Sequence, residues 1–433
     1  MNPLLLSGYG VSITVNRACL TVTNMSSNTD SSYEFRPHQI PYDSIILDGH
    51  YGSISLEALY WLSKHDVSVS LINWNGNMLY TATPKETYNA DLKIKQYQSY
   101  LDNEKRLYIA NQIVKQKVKS SIGLIKQLSS FYDTDVKTIE TETIRTGKTS
   151  IEPVLKQQTE KQKTGKTAEI PVPEQKTEKR ETDRYSSDSI KNIMMHEGRI
   201  ASAYWSCLSE IFNELAPDFH FETRKNLSYS WNMNASDEVN ALLNYGYAIL
   251  ESMVRKEINT IGLDPSIGFL HEIAPSKHPL VYDLQELFRY VVDYSVVELL
   301  ETKLKKSDFI TTENYHIRLR PDTAKKLIDR IKENFNRRYE FRNKQYTLDN
   351  ILFENVRLLS KYLLGKSKTL GFSIPEIRIE RVDNKDIRSK IMSIDPQKRK
   401  TLRINKSTLW YQQKKIKEGK EIKVYEKTRV RIE

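Results

Sequence analysis

The chain has 433 residues, 39% hydrophobic and 28% charged, with a net charge of +11. It contains no apolar run long enough to span a bilayer and no basic, apolar N-terminal signal, which argues against a membrane protein or an exported one. Its two cysteines, Cys19 and Cys207, supply neither a disulfide framework nor a zinc cluster, so a soluble protein of a reducing, cytoplasmic setting with two or three domains is expected.

Residues 1–85 read as a β-rich domain. Val11–Val15, Cys19–Thr23, Ser44–Leu47 and Val67–Leu71 alternate or are rich in β-branched residues. One helix interrupts them from Ser55, with Leu56, Leu59, Tyr60 and Ser63 as its inward face, and Asn75-Gly76-Asn77 marks a hairpin-like turn. Trp61 and Trp74 are assigned to the core.

Residues 86–385 read as an α-helical domain. Between 90 and 132, Leu107, Ala110, Ile113, Val114, Lys117 and Val118 form a mixed apolar stripe that Ile122, Ile125 and Leu128 extend. Arg106, Lys115, Lys117 and Lys119 read as a solvated face. Residues 134–185 are rich in Thr, Lys, Glu and Gln, with few large apolar side chains, and are expected to be a flexible insertion.

Four stretches after it draw attention together. In Ile193-Met-Met-His-Glu197-Gly-Arg-Ile200-Ala201, Glu197 falls on the same helical stripe as Ile193, Ile200, Tyr204, Leu208 and Ile211. A carboxylate there must be paired with a cation. Asn240-Ala-Leu-Leu-Asn244-Tyr-Gly-Tyr247 is a second helix, with Ser236 as its expected cap. Gly262-Leu-Asp-Pro-Ser-Ile-Gly268-Phe-Leu-His271-Glu272 is a loop. Leu280-Val-Tyr282-Asp283-Leu-Gln-Glu286-Leu-Phe-Arg289 begins a helix expected to run on to Asp293. One acid on a helix, one histidine after a turn and acids on another helix form a donor set for a divalent metal.

The C-terminus is distinct. From Arg388 onward there are fifteen Lys/Arg and five Asp/Glu, so most of the positive excess sits at one end and points to a nucleic-acid partner. Residues 386–433 resemble a helix-turn-helix module. The first helix ends before Ile404, Asn405 or Ser407 caps the second, and Leu409, Trp410 and Ile416 pack inward. Lys406, Ser407, Thr408, Tyr411, Gln412 and Lys415 then face a DNA groove. Glu421–Tyr425 and Thr428–Ile432 read as short wing strands.

Taken in order, Glu197-Gly-Arg-Ile-Ala-Ser-Ala-Tyr-Trp205, Asn240–Tyr247, Gly262–Glu272 and Leu280–Arg289 resemble the CRISPR-associated integrase family Cas-one, including its transposon-borne casposase branch. The resemblance covers most of residues 1–375. It implies an α+β fold: a β-rich N-terminal domain used for dimerisation, then an all-α catalytic domain. It implies a DNA endonuclease or integrase that joins 3′-hydroxyl ends to a target duplex, holding Mg²⁺ or Mn²⁺ with Glu197, His271 and Glu286. Asp283, one helical turn earlier, is the rival ligand, or it orients Arg289 or Lys277 from behind the metal. Arg224 matches a family arginine and is expected at a DNA phosphate, with Lys277, Tyr282 and Arg289 nearby. The implied partners are double-stranded DNA, a second copy of the chain in a higher assembly on DNA, and, in a CRISPR adaptation role, the small Cas-two protein. A casposase needs no such partner, and casposases often carry a C-terminal DNA-reading module. The alternative from another class is a DNA-binding scaffold without catalysis.

Overall fold

The alternation along Val11–Val15 belongs to a much longer strand. A computed structural model describes residues 2–26, 29–73, 78–84, 89–132, 134, 136–150, 178–224, 235, 237–312, 316–377, 379, 384–402, 404 and 406–417. In it, strands β1 (Pro3–Asn16), β2 (Cys19–Ser26), β3 (Thr29–Phe35), β4 (Ser44–Ile54), β5 (Ser68–Ile72) and β6 (Met78–Ala82) form one sheet in the order β3-β2-β1-β4-β5-β6. The β1–β4 and β4–β5 pairs are parallel and the outer pairs antiparallel. Leu4, Leu6 and Ile13 of β1, Leu20 and Val22 of β2, Ile45 of β4 and Val69 of β5 build its core.

Helix α1 (Leu56–Lys64) covers that core, capped by Ser55, whose hydroxyl accepts from Ala58 N. Its buried face is Ala58, Trp61 and Leu62, whereas Leu56 is 85% and Tyr60 61% exposed. The expected inward face is therefore wrong in rotation. Trp61 sets the rotation: it packs against the sheet and its indole Nε1 donates to Ala18 O at 2.9 Å, which its neighbours on the helix cannot do. Trp74 and the turn at residues 75–77 lie outside the described residues.

The helical part comprises α2 (Ala90–Leu101), α3 (Asn103–Leu128), α4 (Val136–Ser150), α5 (Glu178–Leu215), α6 (Glu238–Ile261), α7 (Pro279–Gln285), α8 (Arg289–Leu300), α9 (Pro321–Asn336) and α10 (Leu348–Leu363). Two short hairpins interrupt it, β7 (Phe309–Thr311) with β8 (Ile317–Leu319) and β9 (Arg338–Phe341) with β10 (Lys344–Thr347), where the sequence reads as wholly helical. The fold is α+β, and no described helix is long and apolar enough to cross a membrane.

Helix α6 is the axis of this part. Asp237 caps it by accepting from Asn240 N at 2.7 Å, in the role expected of Ser236, which lies outside the described residues. Gly246 lets α8 come close, since a Cβ there would sit 2.5 Å from Val292 Cγ1. Ser252 Oγ meets Ser70 Oγ of β5 at 2.9 Å, and Tyr245 Oη donates to Asp48 Oδ2 of β4 at 3.2 Å. Sheet and helices thereby share one compact unit, residues 1–377.

Two other expectations change. Residues 136–150, read as the start of a flexible insertion, form α4, because Ile139 is fully buried and Glu140 Oε1 pairs with Lys126 Nζ at 2.8 Å. Residues 151–177 lie outside the described residues. The continuous helix expected through Asp293 is divided into α7 and α8. Between them, Leu287 N and Phe288 N bond three residues back, to Leu284 O and Gln285 O, which tightens the turn after Glu286.

Residues 378–433 form the second compact unit. Its described helices are α11 (Asn384–Met392), α12 (Pro396–Thr401) and α13 (Lys406–Lys417), packed around Ile391, Ile394, Ile404 and Leu409 with Leu402 and Ile416 at the edge. Leu409 and Ile416 of α13 pack inward as expected, but Trp410 is 61% exposed and Gln412 4% exposed, because the inward stripe runs through 409, 412 and 416 at helical spacing and position 410 lies off it. Ser407 lies inside α13 rather than capping it. Asn405, the Thr408 side chain and the expected wing strands lie outside the described residues.

This packing predicts opposite results for adjacent residues. Leu409→Ala should destabilise the C-terminal unit by about 2–5 kcal/mol, the usual cost of removing a buried leucine. Trp410→Ala should stay within about 0.5 kcal/mol, as exposed sites do. Hydrogen exchange across residues 384–417 measures both, and faster exchange in Trp410→Ala would return the indole to the core.

Candidate active site

The histidine loop begins where α6 stops. Gly262 ends the helix at a φ of 88°, a conformation that favours glycine. The loop that follows is tied to α2 and α3. Gln96 Nε2 donates to Asp264 O and Ile267 O, both at 2.8 Å, and Gln96 Oε1 accepts from Asp264 N at 2.8 Å. Arg106 Nε donates to Phe269 O at 3.1 Å, and its Nη2 pairs with Glu272 Oε1 at 2.9 Å.

Asp283 closes the loop from the other side. This carboxylate, on α7, is fully buried. It accepts from the backbone N–H groups of Phe269, Leu270 and His271 and lies 2.7 Å from His271 Nδ1. Four hydrogen bonds make a buried charge tolerable. They also fix the ring: with Nδ1 on Asp283, Nε2 is the nitrogen left to act. Burial pulls the His271 pKa down, but the hydrogen bond and charge of Asp283, with the charge of Glu286, raise it above the usual imidazole value. Gly268 permits the approach, since a Cβ there would lie 2.7 Å from Pro279 C and 2.9 Å from Asp283 Oδ2.

Glu197 of α5 and Glu286, just after α7, meet at Lys117 of α3. Lys117 Nζ is 2.6 Å from Glu197 Oε1 and 2.6 Å from Glu286 Oε2. Glu286 Oε1 also pairs with Arg289 Nη1 at 2.7 Å. Burial alone would raise the Glu286 pKa, but the charges of Arg289 and Lys117 prevail and hold it at about 2. Burial lowers the Lys117 pKa while Glu286 and Glu197 raise it, and the net direction is upward.

Behind this layer is a polar network. Asp293 of α8 accepts from Tyr204 Oη of α5 at 2.6 Å and from Tyr247 Oη of α6. Arg289 lies over the Tyr247 ring at 4.2 Å. The Arg224 guanidinium, expected at a DNA phosphate, is engaged with Asn240 and Asn244 of α6 and lies between the Trp205 and Tyr247 rings.

The structure thus brings Glu197, Glu286, Asp283, His271 and Arg289 to one place. Among the described residues, no three His, Cys, Asp or Glu side chains close into a ready metal cluster. Instead the Lys117 ammonium stands between two of the carboxylates. Arg289 pairs with Glu286 rather than with Asp283. Tyr282 is half-buried, edge-on to the His271 ring with centroids 6.2 Å apart, and Lys277 is exposed on the loop before α7. Lys406, Ser407, Thr408 and Lys415 belong to the other unit, where Lys406 and Ser407 are exposed and Lys415 lies over the Tyr411 ring. Arg106 and Lys117, expected on a solvated face, are instead drawn inward, Arg106 to the histidine loop and Lys117 to two carboxylates, and sequence reasoning missed Gln96. Lys117 carried a signal, since a lysine inside an apolar stripe calls for buried anions; Gln96 and Arg106 carried none.

The family model for CRISPR associated protein Cas1 matches residues 4–333. The chain belongs to the Cas1 family. This Cas1-family chain is 24% identical to CRISPR-associated endonuclease Cas1 1 of Archaeoglobus fulgidus, over 85% of this chain and 98% of that protein. It is 30% identical to CRISPR-associated protein Cas1 3 of Methanobrevibacter ruminantium, over 77% of this chain and 89% of that one. Among solved structures, a casposase bound to integration product is 34% identical with a TM-score of 0.73, covering 91% of this chain and 99% of that chain. The Cas1 protein from Thermotoga maritima, 17% identical with a TM-score of 0.63, shares the fold over 87% of this chain and 100% of that chain. Family and likeness together make this chain a member of a family of DNA endonucleases and integrases.

The hydrogen bonds at Asp283 predict that Asp283→Asn lowers folding stability by about 3 kcal/mol, because the amide replaces one of the two accepting oxygens with an NH2 group that faces buried N–H donors. His271→Ala should cost less than about 1.5 kcal/mol, since the ring is partly exposed and ends its chain of contacts. Urea unfolding of the two variants provides the comparison, and equal losses would deny Asp283 its structural part.

Proposed function

We propose that the chain is a DNA strand transferase in which Glu197, His271 and Glu286 would hold a Mg²⁺ or Mn²⁺ ion. The observation that carries this reading is the meeting of two carboxylates at one cation, beside an imidazole whose Nδ1 is already committed. Oxygen donors with one imidazole suit these ions, and Mn²⁺ the more. Glu286 Oε2 supports the fit: it is buried and takes the Lys117 charge without a well-directed hydrogen bond. When bound, such an ion lowers the pKa of the attacking hydroxyl and stabilises charge on the phosphoryl oxygens.

The chain's own residues supply the setting. Asp283 engages His271 Nδ1, so that Nε2 is the nitrogen that would bind the ion. Arg289 holds Glu286 ionised and in place. In the reaction a DNA 3′-hydroxyl attacks a target phosphorus, one P–O bond forms, one breaks, and a second 3′-hydroxyl leaves. The bonds balance, so no nucleotide cofactor is required. Lys277 and Tyr282, at the edge of the centre, would meet the DNA backbone or a base, while Arg224 acts from behind by fixing α6.

The casposase branch is the favoured role. The casposase structure is 34% identical with a TM-score of 0.73, against 17% and 0.63 for the Thermotoga maritima Cas1 protein at similar coverage, which supports the casposase reading. That relative is bound to integration product, which supports double-stranded DNA as the partner here. Dimerisation through the N-terminal sheet and a larger assembly on DNA belong to the same proposal. A Cas2 partner, present in one complex of more distant similarity, belongs to the CRISPR adaptation role instead. The basic C-terminal unit, with Lys406, Ser407, Thr408 and Lys415, is proposed to bind DNA.

Glu197→Ala, His271→Ala and Glu286→Ala should each abolish joining of a 3′-hydroxyl oligonucleotide to a plasmid in Mn²⁺. Activity in all three would sink the assignment, and inactivity of the wild type with intact DNA binding would favour the scaffold reading. Removing residues from 378 onward should weaken DNA binding and make log affinity less steep against log salt, as phosphate contacts are lost. A salt series of binding isotherms reads this, and superimposable curves would free the C-terminal unit of any DNA role.

A further inference from the structure

Lys117 has no part in the chemistry described above, yet it occupies the middle of the site. Its ammonium lies 2.6 Å from each of two carboxylates that come from different segments, Glu197 on α5 and Glu286 after α7. These are the same two groups that the proposed function assigns to the metal. Glu286 is buried and Glu197 is largely covered, with 19% of its side chain exposed. Two such carboxylates facing each other call for a cation between them, because repulsion and desolvation would otherwise separate or protonate them.

The two glutamates are not held alike. Glu286 keeps Arg289 on Oε1, so it has a cation of its own whatever happens at Oε2. Glu197 takes its charge partner from Lys117. Lys117 is therefore the cation that Glu197 relies on and a second cation for Glu286, and it draws the two acids together. Its anchorage is equally uneven. The α3 backbone around it is fixed by buried Ile113, Gln116 and Ser120, whereas its side chain is 20% exposed and rides on a flexible aliphatic stem. The head can leave while the helix stays. A lysine suits such a place better than an arginine, since its compact charge is strongly hydrated and makes no planar, two-pronged contact.

We propose that Lys117 is a built-in counter-cation, which holds Glu197 and Glu286 together in the metal-free site and is exchanged for the divalent ion when the enzyme is loaded. This rests on the metal reading above. A charge of two replaces a charge of one, and the ammonium returns to water. The exchange keeps the acids ionised and aligned between reactions, and it weakens the apparent affinity for the ion. The ligand class is a hard divalent cation, and Lys117 is the residue with which it competes.

The test uses the full chain without DNA. Mn²⁺ is titrated into wild type, Lys117→Met and Lys117→Gln, with free Mn²⁺ followed by electron paramagnetic resonance and unfolding followed by calorimetry. Both variants should bind Mn²⁺ at least about tenfold more tightly than wild type, the scale of one displaced close charge. Without the ion both should unfold at lower temperature, and Mn²⁺ should raise their midpoints further than it raises the wild-type midpoint. A merely structural lysine would give lower stability with no gain in affinity. The glutamine keeps a polar group between the acids, so it preserves a measurable protein should the methionine variant not fold. Wild-type or weaker affinity in the variants would overturn the exchange and leave the metal reading standing. No binding in any of the three proteins would overturn both.

Discussion

Glu197, Glu286, Asp283 and Asp293 are carboxylates taken largely out of water, and the centre of this molecule is arranged around keeping them charged or hydrogen-bonded. Each has a different answer. Asp283 is surrounded by backbone N–H groups and an imidazole, Glu286 lies between an arginine and a lysine, Glu197 shares that lysine, and Asp293 accepts from two tyrosine hydroxyls. A carboxylate left without such partners would cost several kcal/mol on burial, so these contacts dictate how five helices and one loop must approach.

The approach is possible because the surroundings are over-determined. Gln96 and Arg106 secure the histidine loop from α2 and α3, while Gly246 and Gly268 remove the side chains that would hold α8 and α7 away. Polar links from Ser252 to Ser70 and from Tyr245 to Asp48 brace α6 against the sheet. The rigid backbone makes a small-scale change of side chains, such as movement of the Lys117 head, the economical way to alter the charge of the site.

The four-motif resemblance in the sequence pointed to the family, and comparison with known proteins agrees with it. Secondary structure was legible wherever periodicity was strong, as along β1 and α5. It was misread where a local pattern competed with a packing demand. The rotation of α1 follows the indole of Trp61, Gln412 rather than Trp410 faces inward on α13 because it shares the stripe of Leu409 and Ile416, and α4 forms where a polar composition suggested no structure because Ile139 finds a buried seat. The hairpins after α8 were missed because three- or four-residue strands are too short to show a period.

What the sequence by itself determined is chemical identity: which acids and which histidine stand in family-like motifs, that one carboxylate lies on an apolar helical face, and that the positive charge collects at the C-terminus. These are properties of residue type and spacing, which short-range order preserves. What only the tertiary structure decided is who neutralises whom. Lys117 and Glu197 are 80 residues apart, and Arg106 and Glu272 are 166 apart. No periodicity relates such pairs, because their meeting is set by the packing of whole helices. That packing makes Asp283 the partner of the histidine, Arg289 the partner of Glu286 and Lys117 the cation between two glutamates.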